Sequence, residues 1–572
     1  MMRPAPLLFF LGLALTACAD GVSDGAGVAV EDAFCGPVLA RVDSFMATFQ
    51  GREPTGDRYG GMAVVATTDD LLGMSPRAAG NVLSAQHQQF VNLMTLIEFD
   101  EELEPTPYLA TSWEISDDQT ELTFHLRDDV YWHDGELTTA QDVAFTYLTV
   151  SNPESLYPNT SFFQAYLPGE EGVEVVDSFT VKLHFRPHSD ILETWRNLAI
   201  LPRHLLGEVP AGESWSHPWG AVCPVGNGPF RFVSRSPGES WTFAANPAFP
   251  EELGGRPYLD RYVYRYIPEN TTLLAELLTG GVDVYVQMLP NQEATAREEG
   301  LTVNSFPYPS IFFIAWNSRV PKLSDARVRR ALTQGINRRQ LMDGVQLGKA
   351  VLLNGSLPPV HWAFDSALGD SLPYDPNRAR SLLEEGGWVD RDGDGIRENS
   401  DGDPLEIELI YNQNLERQRV GEIIRVQLRE IGVEIQPSML EMGTYGDRIQ
   451  SGERDFEGAL VTFETGFRID DRDLFHSEVA DVEGSWAFSG TMDPELDRYL
   501  DTLQLIPDQE MAYPVWQAYQ LRLMEVQPYT FLYSAHRRNG VGPRLRDVVM
   551  DMRGDWATIR NWWIAQEDRE RD

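Results

Sequence analysis

The sequence predicts a mixed α/β protein built from more than one lobe, and three observations carry that prediction. The chain has 572 residues, too many for a single hydrophobic core. Its hydrophobic content of 42% and charged content of 23% are those of a folded globular protein. Period-two and helix-period apolar patterns are interspersed along it, so the class is α/β or α+β.

The chain opens MMRPAPLLFFLGLALTACADG. Arg3 supplies a short positive start, and Leu7 to Leu15 form an apolar run well below the ~18 residues of a spanning helix. Residues 1–17 therefore read as a signal peptide. Leu15-Thr16-Ala17-Cys18 resembles a bacterial lipobox, which implies lipidation of Cys18 and an extracytoplasmic protein held on a bacterial membrane, facing the periplasm or the cell exterior. The stretch after Cys18 is small, Gly-rich and acidic, so 18–59 is expected to be a tether and lead-in. Cys35 and Cys223 remain. In an exported chain that pair suggests a disulfide, with two buried thiols as the alternative.

GGMAVVATTDD predicts a strand ending in a polar loop. LTFHLR alternates Leu122, Phe124 and Leu126 with polar residues, the pattern of a half-buried strand. Thr139 and Asp142 have the spacing of a capping box opening the helix AQDVAFTYL. GNGPFRFV is a turn entering a strand. TTLLAELLTGG puts Leu273, Leu274, Leu277 and Leu278 on one helical face, with Gly280 and Gly281 as a stop. SDARVRRALTQGIN repeats this with Val328, Ala331, Leu332 and Ile336, and Ser324 is the expected N-cap. A third helix carries Val420, Ile423, Ile424, Leu428 and Ile431, and the strand VEIQPSML follows.

The net charge is −41, and only three of the 46 basic residues are lysines. No Lys/Arg cluster is present, which argues against a nucleic-acid partner. No H-E-x-x-H or P-loop occurs, and no spacing singles out a carboxylate pair, so a secreted hydrolase is the minor alternative to a binding protein.

The segment LATSWEISDDQTELTFHLRDDVYWHDGELTTAQDVAFTY is similar to the signature of the family 5 solute-binding proteins of ABC importers. Further blocks follow in the family's order: GNGPFRFV, RYIPENTTLLAELLTGGVDV, FFIAWNSRVPKLSDARVRRALTQGINRRQLMDGV, YDPNRARSLLEEGGW and QPYTFLYSAHRRNGVGP. The resemblance implies a type II periplasmic-binding-protein clamshell. Lobe one would take 60–85, 221–308 and 530–572, an extra subdomain 86–220, and lobe two 309–529. It further implies that a small solute, a peptide or peptide-like compound, binds between closing lobes and is delivered to an ABC permease and its ATPase. The alternative is a receptor- or chaperone-type binding protein for a non-peptide ligand, a sugar or other. With both cysteines beside lobe-one segments, the resemblance makes the disulfide geometrically plausible.

In peptide-binding members an Asp of lobe two often meets the ligand's amino terminus. The corresponding stretch here, ALVTFETGFRIDDRDLF, departs from that pattern. Glu464 or Asp470 stands as the replacement, or Arg468 meets a carboxylate. Phe463, Trp316, Asn317, Trp486 and Phe488 complete the expected lining, with core packing as the alternative for each aromatic. The ten histidines show no metal-ligand spacing. In DRDGDGIREN, Asp390, Asp392 and Asp394 alternate, with Asp401 at the twelfth place, which meets part of a calcium-loop recipe. A strand rather than a helix is expected after it, so a structural hairpin is favoured and calcium is the alternative. No other cofactor is expected.

Overall fold

The computed structural model describes residues 24–569 apart from 53, 159, 161–162, 165–168, 187–191, 193–197, 466–470, 483 and 507. Among these, twelve strands form one continuous sheet. Its lobe-two half runs Glu434–Leu440, Glu406–Asn412, Gly458–Glu464 and Ser310–Trp316, and its lobe-one half runs Val284–Tyr285, Met62–Thr67, Arg261–Tyr266, Ser240–Ala245 and Phe230–Ser236. The long strand Tyr529–Val541 joins the two. Its first residues pair with Ser310–Trp316, from Ala315 opposite Tyr529 to Phe312 opposite Tyr533. Its later residues pair with Thr302–Pro307, and Val541 also meets Val284. The chain thus crosses between lobes twice, side by side, at residues 308–309 and within 529–541.

The sequence of each strand explains its place. Within Ser310–Trp316 the six residues after Ser310 are an unbroken apolar run, and every residue of the strand is buried. Phe312, Ile314 and Trp316 feed one core of lobe two while Ile311, Phe313 and Ala315 feed another on the opposite face. Glu121–Leu126 buries alternate residues, as its period-two pattern requires, within a separate four-stranded antiparallel sheet. Asp142 accepts the backbone N–H of Thr139 at 2.8 Å, at the head of the helix Ala140–Val150.

Two local expectations change. The helix Ala326–Gly335 is capped by Asp325, whose carboxylate accepts the Arg327 N–H. Ser324 instead closes the preceding turn, its hydroxyl donating to the Pro321 carbonyl. In Asn270–Thr279, Leu273 and Leu277 are buried but Leu278 is exposed, because the core contacts a narrower stripe than the four leucines span.

The larger correction concerns the expected tether in 18–59. Residues Asp24–Ala47 form an α-helix, despite their glycines and an internal Pro37. Propensity did not favour it; tertiary contacts hold it. Cys35 is joined to Cys223, Val38 and Val42 enter the lobe-one core, and Arg41 pairs with the buried Asp134 at 2.7 Å. Asp134 in turn accepts from His204. The disulfide closes a sequence separation of 188 residues. In the chain-entropy model such a crosslink contributes roughly 5 kcal/mol, with measured values often smaller. Replacing both cysteines by serine is expected to lower the first thermal unfolding midpoint by several degrees, read by calorimetry without reductant. An unchanged thermogram would show that the helix docks without the bond. Cys18 lies outside the described residues, and among them no helix is long and apolar enough to cross a membrane.

Candidate functional site

Beside the two crossings lies a cleft of about 660 Å³ lined by both lobes. Lobe one contributes Thr68, residues 268–271 and residues 287–292. Lobe two contributes Phe312, Gln346, residues 413–416, Arg419, Thr462 and Glu464. Tyr308, Ser310 and residues of Tyr529–Val541 form the floor. Thr462 and Glu464 face the cleft together because alternate residues of one strand share a face.

The lining is rich in carboxamides: Asn270, Gln287, Asn291, Gln292, Gln346, Gln413 and Asn414. Each offers both donors and an acceptor. Gln292 is buried, and among the described residues its Oε1 has no hydrogen-bond partner, while its Nε2 donates to the Asn270 carbonyl. Gln287 adopts a left-handed backbone, φ 64°, and its N–H donates to the buried Asn539 side chain. That fixes a strained residue at the rim of the site.

Most charges in the cleft are already paired. Arg537, buried, donates to Asp555 of lobe one at 2.7 Å and to Glu464 of lobe two at 2.9 Å. Its guanidinium lies 3.6 Å from the centre of the Tyr308 ring, and the Tyr308 hydroxyl donates to Glu464. Asp555 has a fully buried side chain and also accepts from Asn539 and Gln86. Both crossing segments are therefore tied to both lobes at one buried point. Burial raises the Glu464 carboxyl above its ordinary range, with Arg537 and the Tyr308 hydrogen bond opposing. Arg538 pairs with Glu293 at 3.3 Å, and Glu416 accepts from Gln346 and Tyr533. Burial and then Arg538 hold His536 below its ordinary range, so it is neutral at neutral pH.

Of the residues expected to line the ligand, Glu464 alone among the described ones stands in this cleft. Trp316 is fully buried in the lobe-two core, with its indole N–H donating to the Thr530 hydroxyl. Asn317 is buried and donates to the carbonyls of Arg454 and Phe456, so it is a structural clamp. Phe488 is fully buried in the other lobe-two core. Phe463 and Trp486 meet edge to face, centroids 5.3 Å apart, and pack on that same core. Phe463 points to the opposite side of its strand from Thr462 and Glu464, which is why it misses the cleft. Arg468 and Asp470 lie outside the described residues. Arg419 and most of the carboxamides carried no motif, and Glu269 and Asn270 lie in the block RYIPENTTLLAELLTGGVDV without a signal that marks them as lining; the lining residues come from segments far apart in sequence.

At the Asp-rich turn, Asp390, Asp392 and Asp394 gather with Glu398, their ligand atoms within 4.8 Å of one another. Asp401 is not part of the group; Glu398 takes its place because the chain folds back there, with Val389 bridged to Glu398 and Glu398 to Pro404. The carboxylates accept backbone N–H groups of Gly393, Asp394 and Ile396, and Glu398 accepts that of Arg391. The turn is closed by its own hydrogen bonds, although the same four oxygens could ligate a hard cation.

The fold and the cleft together have relatives. The model of the bacterial extracellular solute-binding proteins, family 5 (Middle), matches residues 104–460. The oligopeptide-binding protein AppA of Bacillus subtilis is 26% identical over 475 residues, covering 82% of this chain and 86% of that protein. The heme-binding protein A of Haemophilus influenzae is 28% identical over 410 residues, covering 68% and 72%. Among solved structures, AppA from Bacillus subtilis in complex with a nonapeptide aligns with a TM-score of 0.80 at 24% identity, covering 89% of this chain and 100% of that one. NikZ from Campylobacter jejuni in complex with Ni(L-His) aligns with a TM-score of 0.76 at 22% identity, covering 88% and 99%. This chain is a member of the bacterial extracellular solute-binding proteins, family 5, and thus a binding protein rather than an enzyme.

Proposed function

We propose that the protein is a lipid-anchored receptor that captures a short peptide or peptide-like compound in the cleft and delivers it to an ABC permease and its ATPase. The observation that supports a peptide is the carboxamide lining. Side-chain amides match the alternating N–H and C=O groups of a peptide main chain. A sugar ring would want an open aromatic face. Among the described residues, the cleft aromatics are covered: Tyr308 by Arg537, Phe312 and Tyr533 by burial. The kinship with an oligopeptide-binding protein points the same way.

Binding follows from the architecture. A solute that touches both lobes binds the closed form better than the open form and shifts the population toward it. Mass spectrometry of solute carried through purification is the direct test. Peptides of a few residues are expected; a saccharide or a metal complex as the sole cargo would overturn the peptide reading. The anchor is tested separately: Cys18→Ala is expected to move the protein from the membrane fraction to the soluble one, and an unchanged membrane fraction would count against lipidation.

A further inference from the structure

Two charged side chains in the cleft stand apart from the paired ones. Arg419 of lobe two is exposed and lines the cleft, with no hydrogen bond, ion pair or ring contact among the described residues. Glu269 of lobe one is likewise exposed, lines the same cleft and has no such partner. Glu269 is the N-cap residue of the helix Asn270–Thr279. Arg419 lies in the second turn of the helix Leu415–Arg429, whose start is capped by the Asn414 side chain and whose first-turn Glu416 is already paired with Gln346 and Tyr533, which leaves Arg419 as the free charge of that wall. On the other wall, the buried Gln292 holds an acceptor oxygen that no donor among the described residues satisfies. Lobe two therefore offers a free cation, and lobe one offers a free anion and, among the described residues, an unpaired acceptor.

We infer that the solute is a zwitterion bound with one polarity: its carboxylate on lobe two at Arg419, its ammonium on lobe one at Glu269. This rests on the peptide reading above and adds the orientation. It is the reverse of the arrangement in which a lobe-two carboxylate receives the amino terminus. Each free charge then finds its counter-ion only when the lobes share one ligand, so closure and charge recognition are the same event. Arg suits the carboxylate end, since its fork can bind both oxygens at once. A ligand ammonium has three donors, enough for Glu269 and the Gln292 oxygen together.

Calorimetric titration with alanine peptides of two to five residues tests the inference, each used free, C-terminally amidated and N-acetylated. Amidation is expected to weaken binding to the wild type about tenfold or more, as loss of a charge-assisted contact does. In Arg419→Gln the free peptide should bind about as weakly as the amidated one, so that amidation costs at most twofold. N-acetylation should behave the same way against Glu269→Gln. Arg419→Lys, which keeps the charge, should recover part of the discrimination. If free peptides bind the wild type and amidation costs the same in Arg419→Gln, the inference is overturned while the peptide reading stands. If the two variants weaken free and blocked peptides equally, Arg419 and Glu269 latch onto each other instead, and the inference is again overturned. If no free peptide binds the wild type, the peptide reading fails and takes the inference with it.

Discussion

Arg537→Met is expected to destabilise the protein by about 3–5 kcal/mol, the usual cost of removing one partner from a buried ion pair. Arg537 and Asp555 are buried with side-chain exposures of 6% and 0%. Without the guanidinium, Asp555 keeps only the amides of Asn539 and Gln86 for a full negative charge. Tyr308 also loses the cation over its ring. The loss has a pH signature. Burial holds the native Glu464 carboxyl above its ordinary range, so the folded protein binds that proton more tightly than the unfolded chain does. Its favourable contribution is fully present below the ordinary glutamate range and is lost as pH rises through the raised native value. Removing Arg537 removes the charge that opposes this rise, so the variant should suffer most at pH 8 and recover in part near pH 5. Urea unfolding at both pH values reads the difference. A destabilisation that is small, or that grows on acidification, would sink this view of the hinge.

Arg329→Met is expected to cost about 4 kcal/mol or more, because each buried carbonyl left unsatisfied costs about 1–3 kcal/mol. Arg329 is 3% exposed and has no carboxylate partner among its hydrogen bonds. It donates to the carbonyls of Leu323 and Ser324 at 2.7 and 2.8 Å, of Val526 at 2.7 Å and of Gln527 at 2.9 Å. The last two end the helix Gln509–Val526, so the guanidinium closes that helix and ties it to the helix Ala326–Gly335. Burial lowers its pKa to about 10, which leaves it charged at neutral pH. Arg329→Lys should recover less than half of the loss, since an ammonium cannot reach four carbonyls spread around a planar fork. Full rescue by lysine would mean that charge alone, rather than geometry, matters there.

Much of this fold was legible because its signals are local. Alternating Leu122, Phe124 and Leu126 mark a strand whether or not the rest of the chain is known, and they are buried as alternation demands. The helix Leu415–Arg429 buries Val420, Ile424 and Leu428 at helical spacing. The first helix escaped because its stability is not local: glycines and Pro37 disfavour it, and Cys223 and Asp134, far along the chain, hold it. The site was harder for the same reason. Trp316 and Phe488 look like ligand platforms in sequence, but burial is decided by which sheet face packs on which helix. Arg537 and Arg538 are neighbours in one motif, yet one ties the hinge and the other pairs with Glu293. Only the three-dimensional cleft separates paired charges from the free Arg419 and Glu269.

The central claim is that one solute bridges two lobes across the hinge and closes them. Small-angle X-ray scattering on ligand-free protein, before and after saturation with a peptide that gives heat in calorimetry, tests it directly. A smaller radius of gyration on saturation, returning to the starting value when the peptide is dialysed away, is the predicted result. Saturation with no change in the scattering curve would contradict it, because the peptide would then bind without joining the lobes.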